Sequence, residues 1–244
     1  MGPEPIVTRD AQFLERIDGP GALARNAVVL TAPRSLAAER YRLVQFRLEQ
    51  ICRRDALKTI AVASALPGEG RTTTAMNLAL TAARAGDRRV ALVEADLRRP
   101  RLERLLGLPE GPGIADLSGG EVEMERCVRR VVRPPLWVVT AGRRAGGAEV
   151  ELDVARLRAL LALLRSRFDV VYVDVPPVLS SADAVAVVAA VDGIVLVARP
   201  RRSTFASMEQ AASMLSGARV LGCVLNDSLG LLTGAELGRP PRGG

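Results

Sequence analysis

Ala65-Leu66-Pro67-Gly68-Glu69-Gly70-Arg71-Thr72 is the stretch on which the fold turns. It follows a short apolar run, Thr59–Ser64, and opens a segment of helical composition, Thr72–Arg84, that stops at Gly86. A glycine-rich strand-to-helix turn is the context a phosphate-binding loop requires. Its backbone N–H groups converge on an anion, and the helix N-terminus adds partial positive charge. Against the pattern G-x-x-x-x-G-K-[ST], Ala65 stands for the first glycine and Arg71 for the lysine. Read alone, the octet serves equally well as a tight structural turn. In the phosphate reading, the Thr72 hydroxyl reaches a magnesium ion.

Two further segments favour the phosphate reading. Ala91-Leu92-Val93-Glu94-Ala95-Asp96-Leu97-Arg98-Arg99-Pro100 sets two carboxylates two residues apart at the carboxyl end of a strand. That end is where open parallel sheets bind ligands, and carboxylates with phosphate oxygens suit magnesium. Phe168-Asp169-Val170-Val171-Tyr172-Val173-Asp174-Val175-Pro176-Pro177 is an apolar strand ending in an aspartate, as a Walker-B element requires. The alternative for Asp96 and Asp174 is that of solvated loop caps.

Outward from this centre, apolar runs at Val90–Val93, Leu136–Thr140, Val170–Val173, Ile194–Ala198 and Val220–Leu225 alternate with helical segments. Those segments are Arg101–Leu106, the stripe Val154, Leu157, Leu161, Leu164, then Ala182–Ala190 and Phe205–Leu215. Strand runs without clean alternation, separated by helices, predict an α/β fold, a doubly wound, mostly parallel sheet with helices on both faces. Tyr41, Val44, Leu48 and Ile51 predict an amphipathic helix over Leu36–Arg53, capped by Ser35. Residues 1–34 read as an N-terminal arm with a short strand at Ala27–Thr31, residues 35–232 as the nucleotide-binding domain, and 233–244 as a disordered tail.

Composition excludes several chemistries. The 244 residues contain no histidine, which removes Ser-His-Asp and Cys-His arrangements and every His-containing metal site. Cys52, Cys127 and Cys223 are too far apart for a C-x-x-C site and point to a reducing compartment. Seven aromatic residues are too few for a base-stacking platform. The net charge is +7, from 34 basic and 27 acidic side chains, and Lys58 is the sole lysine. Charge of that kind speaks to partners, not to fold. No window of 18 residues is apolar and uncharged, and the first twenty carry no secretory h-region, so a cytoplasmic protein is expected.

From about Ala32 to Asp227 the chain resembles the bacterial tyrosine kinases of capsule and exopolysaccharide synthesis, within the MinD/ParA-like P-loop class. The family reads close to S-x-x-P-G-E-G-K-[ST]-T against Ser64 through Thr73, and close to L-I-D-A-D-x-R-x-P against Leu92 through Pro100. It reads close to I-I-D-T-P-P-V-L against Tyr172 to Leu179, and Asp183-Ala184, Val191–Val197 and Leu221–Asn226 continue the pattern. The resemblance implies ATP and Mg2+ as cofactors. It places Gly68, Glu69, Gly70, Arg71, Thr72 and Thr73 at the phosphates, with Asn226 near the adenine. Thr72, Glu94, Asp96 and Asp174 are implied at the metal, and Arg71, Glu94 and Asp96 in catalysis. It also implies activation by the cytoplasmic tail of a membrane polysaccharide chain-length protein, recruitment to the inner membrane by that partner, and a homo-oligomer built through an E-x-x-R-x-x-R helix. Here that helix supplies Glu39, Arg42 and Gln45.

Three departures bear on activity. Arg71 replaces a compact lysine with a longer planar fork. Only Tyr41 and Tyr172 exist, so the usual C-terminal tyrosine cluster is missing. Glu94 is one methylene longer than the family's aspartate, and a displacement of about an ångström costs a catalytic group on the order of 100-fold. A nucleotide-binding protein with impaired phosphoryl transfer is therefore expected. The alternative is a ParA/MinD-type positioning ATPase on DNA. Fold-level analogy is all that favours it, because Leu66 stands where those proteins carry an extra lysine and the Gly/Pro tail holds no membrane helix.

Overall fold

The computed structural model describes residues 16–17, 26–86, 88–120, 122–131, 134–143 and 152–227. Its sheet contains β1 (Arg16–Ile17), β2 (Thr59–Ser64), β3 (Val90–Glu94), β4 (Arg129–Val131), β5 (Leu136–Val139), β6 (Val170–Asp174), β7 (Gly193–Ala198) and β8 (Val220–Leu225). Their spatial order is β1-β4-β5-β3-β6-β2-β7-β8, and every neighbouring pair is parallel except β4 with β5. The helices are α1 (Val28–Thr31), α2 (Leu36–Asp55), α3 (Arg71–Arg84), α4 (Leu102–Leu106), α5 (Ile114–Ser118), α6 (Val154–Arg167), α7 (Ala182–Val188) and α8 (Phe205–Met214).

Every residue of β2, β3, β6 and β7 is buried, because the sheet is covered twice. The period-two pleat sends alternate side chains to different cores. Ile60 and Val62 pack with Met76, Leu80 and Leu48 under α2 and α3. Ala61 and Ala63 pack with Leu157, Leu161 and Val187 under α6 and α7. This is the doubly wound sheet expected from the uninterrupted apolar runs. Helix α3 is buried around nearly its whole girth, which explains its alanines and lack of charge between Arg71 and Arg84.

Ser35 caps α2 as expected, its hydroxyl accepting from the Ala38 N–H at 3.2 Å. The strand expected at Ala27–Thr31 is instead the short helix α1. Its β-branched residues favour a strand, but Asn77 at the centre of α3 overrides them. Asn77 accepts from the Val29 N–H at 3.3 Å and donates to the Asn26 carbonyl at 2.8 Å. Most of the arm expected over 1–34 and all of the tail expected over 233–244 lie outside the described residues.

Strand β2 lies between β6 and β7, while the chain leaves it for β3 on the far side of β6. Loops therefore diverge at the carboxyl ends of β2, β3 and β6, and the crevice that opens there is the general ligand site of such sheets.

Candidate functional site

The loop between β2 and α3 is held in shape from within and from outside. Gly68 and Gly70 adopt left-handed backbone, φ +80° and +98°. At Gly70 a Cβ would also lie 1.9 Å from the Asn226 amide nitrogen, so any side chain there would displace Asn226. Asn226, at the end of β8, donates to the Glu69 carbonyl at 3.0 Å. Arg202 Nε donates to the Pro67 carbonyl at 2.5 Å and Arg199 Nη1 to the Gly68 carbonyl at 3.2 Å. The Glu69 side chain is fully buried. It accepts from the Leu66 N–H at 2.8 Å and from the Ser203 hydroxyl. Glu69 thus braces the loop with its carboxylate. Helix α3 begins at Arg71, so the N–H groups of Arg71, Thr72 and Thr73 have no acceptor one turn back and are available to an anion.

Arg71 is turned inward, with its side chain only 8% exposed. Nη2 donates to Asp96 Oδ2 at 2.8 Å and Nη1 to the Ser64 hydroxyl at 3.2 Å. Nε lies 3.9 Å from Asp174 Oδ1. Neither that Nε nor either Asp174 oxygen has a well-formed hydrogen bond among the described residues, although all three are buried. Burial pushes the Asp174 carboxyl up to about 6; the Arg71 charge and the Thr72 hydroxyl pull it down, and Asp96 pushes it up.

Glu94 pairs with Asp174 across the β3–β6 ladder, yet its oxygens are committed elsewhere. One accepts from the Arg101 and Leu102 N–H groups at the start of α4, the latter at 2.8 Å, and the other from the Ala141 N–H at 3.2 Å. Burial raises its carboxyl to about 7, against those three donors and with help from the Asp174 charge. Here the added methylene, noted as a departure, lets the carboxylate cap a neighbouring helix.

The expected site residues are thus gathered at one mouth: Gly68, Gly70, Arg71, Thr72, Thr73, Asp96, Asp174 and Asn226, with Glu69 and Glu94 beside it in bracing roles. Sequence reasoning missed Ser64, Arg199, Arg202 and Ser203. The signal for the last three is Arg199-Pro200-Arg201-Arg202-Ser203, a basic cluster directly after β7. No cluster of three or more acidic or cysteine side chains able to hold a metal exists among the described residues. The orphaned oxygens of Asp174 and the Thr72 hydroxyl do fit a divalent cation, provided phosphate oxygens complete its shell.

Elsewhere, Glu39 and Arg42 pair with each other on the exposed face of α2 at 2.9 Å. Gln45 is turned into the core and accepts from the Tyr172 hydroxyl. Tyr172 is 1% exposed, and burial raises its pKa and that of Tyr41. No helix among the described residues is long and apolar enough to cross a membrane.

Comparison with known proteins agrees with this geometry. The family model for an AAA domain matches residues 57–221. Tyrosine-protein kinase YwqD of Bacillus subtilis is 30% identical over 206 residues, covering 84% of this chain and 86% of that protein. Succinoglycan biosynthesis transport protein ExoP of Rhizobium meliloti is 29% identical over 204 residues, 82% of this chain but 26% of ExoP. The kinase domain of the Escherichia coli tyrosine kinase ETK superposes with a TM-score of 0.77 at 26% identity, covering 82% of this chain and 79% of that one. A strand-loop-helix that presents N–H groups beside two acidic strand ends, over the same stretch that matches these proteins, places the chain in the AAA-domain family of P-loop fold and, within it, among the bacterial tyrosine-protein kinases.

Proposed function

We propose that this protein binds ATP with Mg2+ at the loop, belongs to the capsule and exopolysaccharide machinery, and serves it chiefly as a nucleotide-dependent regulator with impaired phosphoryl transfer. The observation that carries this reading is the inward turn of Arg71. A P-loop lysine reaches toward the β- and γ-phosphates as a point charge. Arg71 instead spends its fork on Asp96 and Ser64. The phosphate-facing work then falls to the N–H groups of Gly68 through Thr73, with Asn226 beside the nucleobase. Thr72 and Asp174 would hold the metal, and a bound divalent ion would screen the phosphate charge and orient the terminal phosphoryl group. Asp96 would share the metal or a proton only when Arg71 releases it, and Glu94 would position the loop before α4 without touching substrate.

The acceptor side supports the same reading. Tyr172 is buried in the core and Tyr41 is half-buried against it, which disfavours both as phosphate acceptors. The partner expected is the cytoplasmic tail of a membrane polysaccharide chain-length protein, with the exposed Glu39/Arg42 stretch of α2 as a self-association face and a cytoplasmic location. Calorimetric titration with Mg-ATP, together with transfer of labelled phosphate, tests the reading. Saturable binding without autophosphorylation is expected, and a gain of transfer in Arg71→Lys would locate the defect. Robust autophosphorylation of the natural chain would defeat the regulatory reading.

A further inference from the structure

Beside the two aspartates one cation is already in place. The Arg71 guanidinium lies among Ser64, Asp96 and Asp174, and it is the nearest positive group to either aspartate that the structure pairs with them. It is also left incomplete in a telling way. Its Nε–H is buried with no well-formed hydrogen bond among the described residues; so are both Asp174 oxygens, of which Oδ1 lies 3.9 Å from it. A buried donor and a buried acceptor of opposite charge are each other's natural partners, and a shift of about an ångström brings them to hydrogen-bond distance. A guanidinium has donors enough to serve Asp96, Ser64 and Asp174 together, which an ammonium on a shorter reach cannot do in one plane.

Neutralising the acidic strand ends beside bound phosphate is one of the two services a divalent ion gives at such a site, the other being direct contact with phosphate oxygens. Where the first service is covalently built in, the ion has less left to add. It is also opposed, since it would enter beside a fixed positive charge at close range. We propose that Arg71 is a tethered counter-cation, and that the loop therefore binds nucleoside di- and triphosphates nearly as tightly without divalent metal as with it. This rests on the loop being a nucleotide site, as proposed above.

The test is calorimetric titration of the full chain with ADP and with ATP, once in excess Mg2+ and once in EDTA. It is repeated for Arg71→Lys and Arg71→Met, with circular dichroism and melting temperature recorded for each variant. The expected result is a dissociation constant that changes by less than about threefold on metal removal in the natural chain. In both variants, removal should weaken binding by at least about tenfold. A loss of about tenfold or more in the natural chain would overturn the proposal while leaving nucleotide binding itself intact. So would variants that fold and stay indifferent to metal. Absence of binding in both buffers would overturn this proposal and the nucleotide reading together. If Arg71→Met does not fold, the natural chain and Arg71→Lys still decide the matter.

Discussion

Strand β2 is flanked by two aspartates that the fold treats in opposite ways. Asp192, just before β7 at the amino end of the sheet, is saturated. Its Oδ2 accepts from the N–H groups of Lys58 and Thr59 and from the Thr59 hydroxyl, each at 2.9 Å, and its Oδ1 meets Arg165. Burial pushes its pKa up, but those donors outweigh it and the carboxyl ends below its ordinary value. Asp174, at the carboxyl end of β6, has no well-formed hydrogen bond among the described residues, and its carboxyl is raised. A carboxylate used for structure is surrounded by donors from its own chain. One kept short of donors, at the mouth of a crevice beside Arg71, is the mark of a candidate ligand site.

The sharpest way to break that contrast is Asp192→Ala. It strands two backbone N–H groups and one hydroxyl that had a charged acceptor, so a loss of about 3 kcal/mol is expected. In a chain of this size that lowers the melting temperature by roughly 6–12 °C, as scanning calorimetry would show. Nucleotide affinity of the folded fraction should hold, because Asp192 lies at the opposite end of the sheet.

Asp174→Asn should run the other way. A carboxyl whose pKa rises from 3.8 to about 6 on folding contributes stability that is present below pH 3.8 and lost as pH climbs to 6. The neutral amide avoids that loss, so at pH 8 the unliganded variant should be more stable by about 3 kcal/mol. Its urea-unfolding free energy should also vary less between pH 4 and 6 than that of the natural chain. With the metal adding less than about threefold to affinity in the natural chain, nucleotide with Mg2+ should bind within about threefold of it. A destabilised variant at pH 8 would place Asp174 with Asp192 as a structural group.

Glu94 sits between the two cases, raised like Asp174 yet supplied with donors like Asp192. Glu94→Gln replaces one accepting oxygen with a donor, so either the Ala141 contact or the pair at the start of α4 is lost. A net loss of about 1 kcal/mol at pH 8 is expected, since removing a buried charge offsets part of the lost bonds. A fall in nucleotide affinity of about tenfold or more would instead rank Glu94 among the ligand-binding groups.

What the sequence made legible follows the same division. The end of the strand, the glycines and the helix start of the phosphate loop stand within eight consecutive residues, and Asp174 closes an uninterrupted apolar run, so local pattern sufficed. The direction of Arg71 was not legible, because it depends on Asp96 arriving from 25 residues on and Ser64 from seven back. The brace on Glu69 was hidden for a similar reason, since Ser203 reaches it across 134 residues. Strand β4 escaped notice because two of its three residues are arginines. Yet Arg129 is buried, bonding Glu103 and Thr140, while Arg130 lies over the Trp137 ring at 5.0 Å. Helix α1 shows local propensity losing to one buried asparagine.

The smallest effect tests what makes Asp192 structural. Its partners are of two kinds: donors within the protein's interior edge, and the Arg165 guanidinium, which is 49% exposed. If ion pairing were the main stabiliser, Arg165→Ala should cost nearly as much as Asp192→Ala. An exposed pair, however, gains little Coulomb energy in water, orders a long side chain and is screened by salt. The donors from Lys58 and Thr59 lie on the backbone at the start of β2 and on the Thr59 hydroxyl, cost no such ordering, and remain in the variant. Arg165→Ala is therefore expected to lower stability by no more than about 0.5 kcal/mol in urea, and the difference should vanish in 1 M salt, where the Debye length is about 3 Å. A loss above about 1.5 kcal/mol that persists in salt would show that Asp192, too, depends on a charge placed beside it, and the contrast with Asp174 would narrow to which cation each one meets.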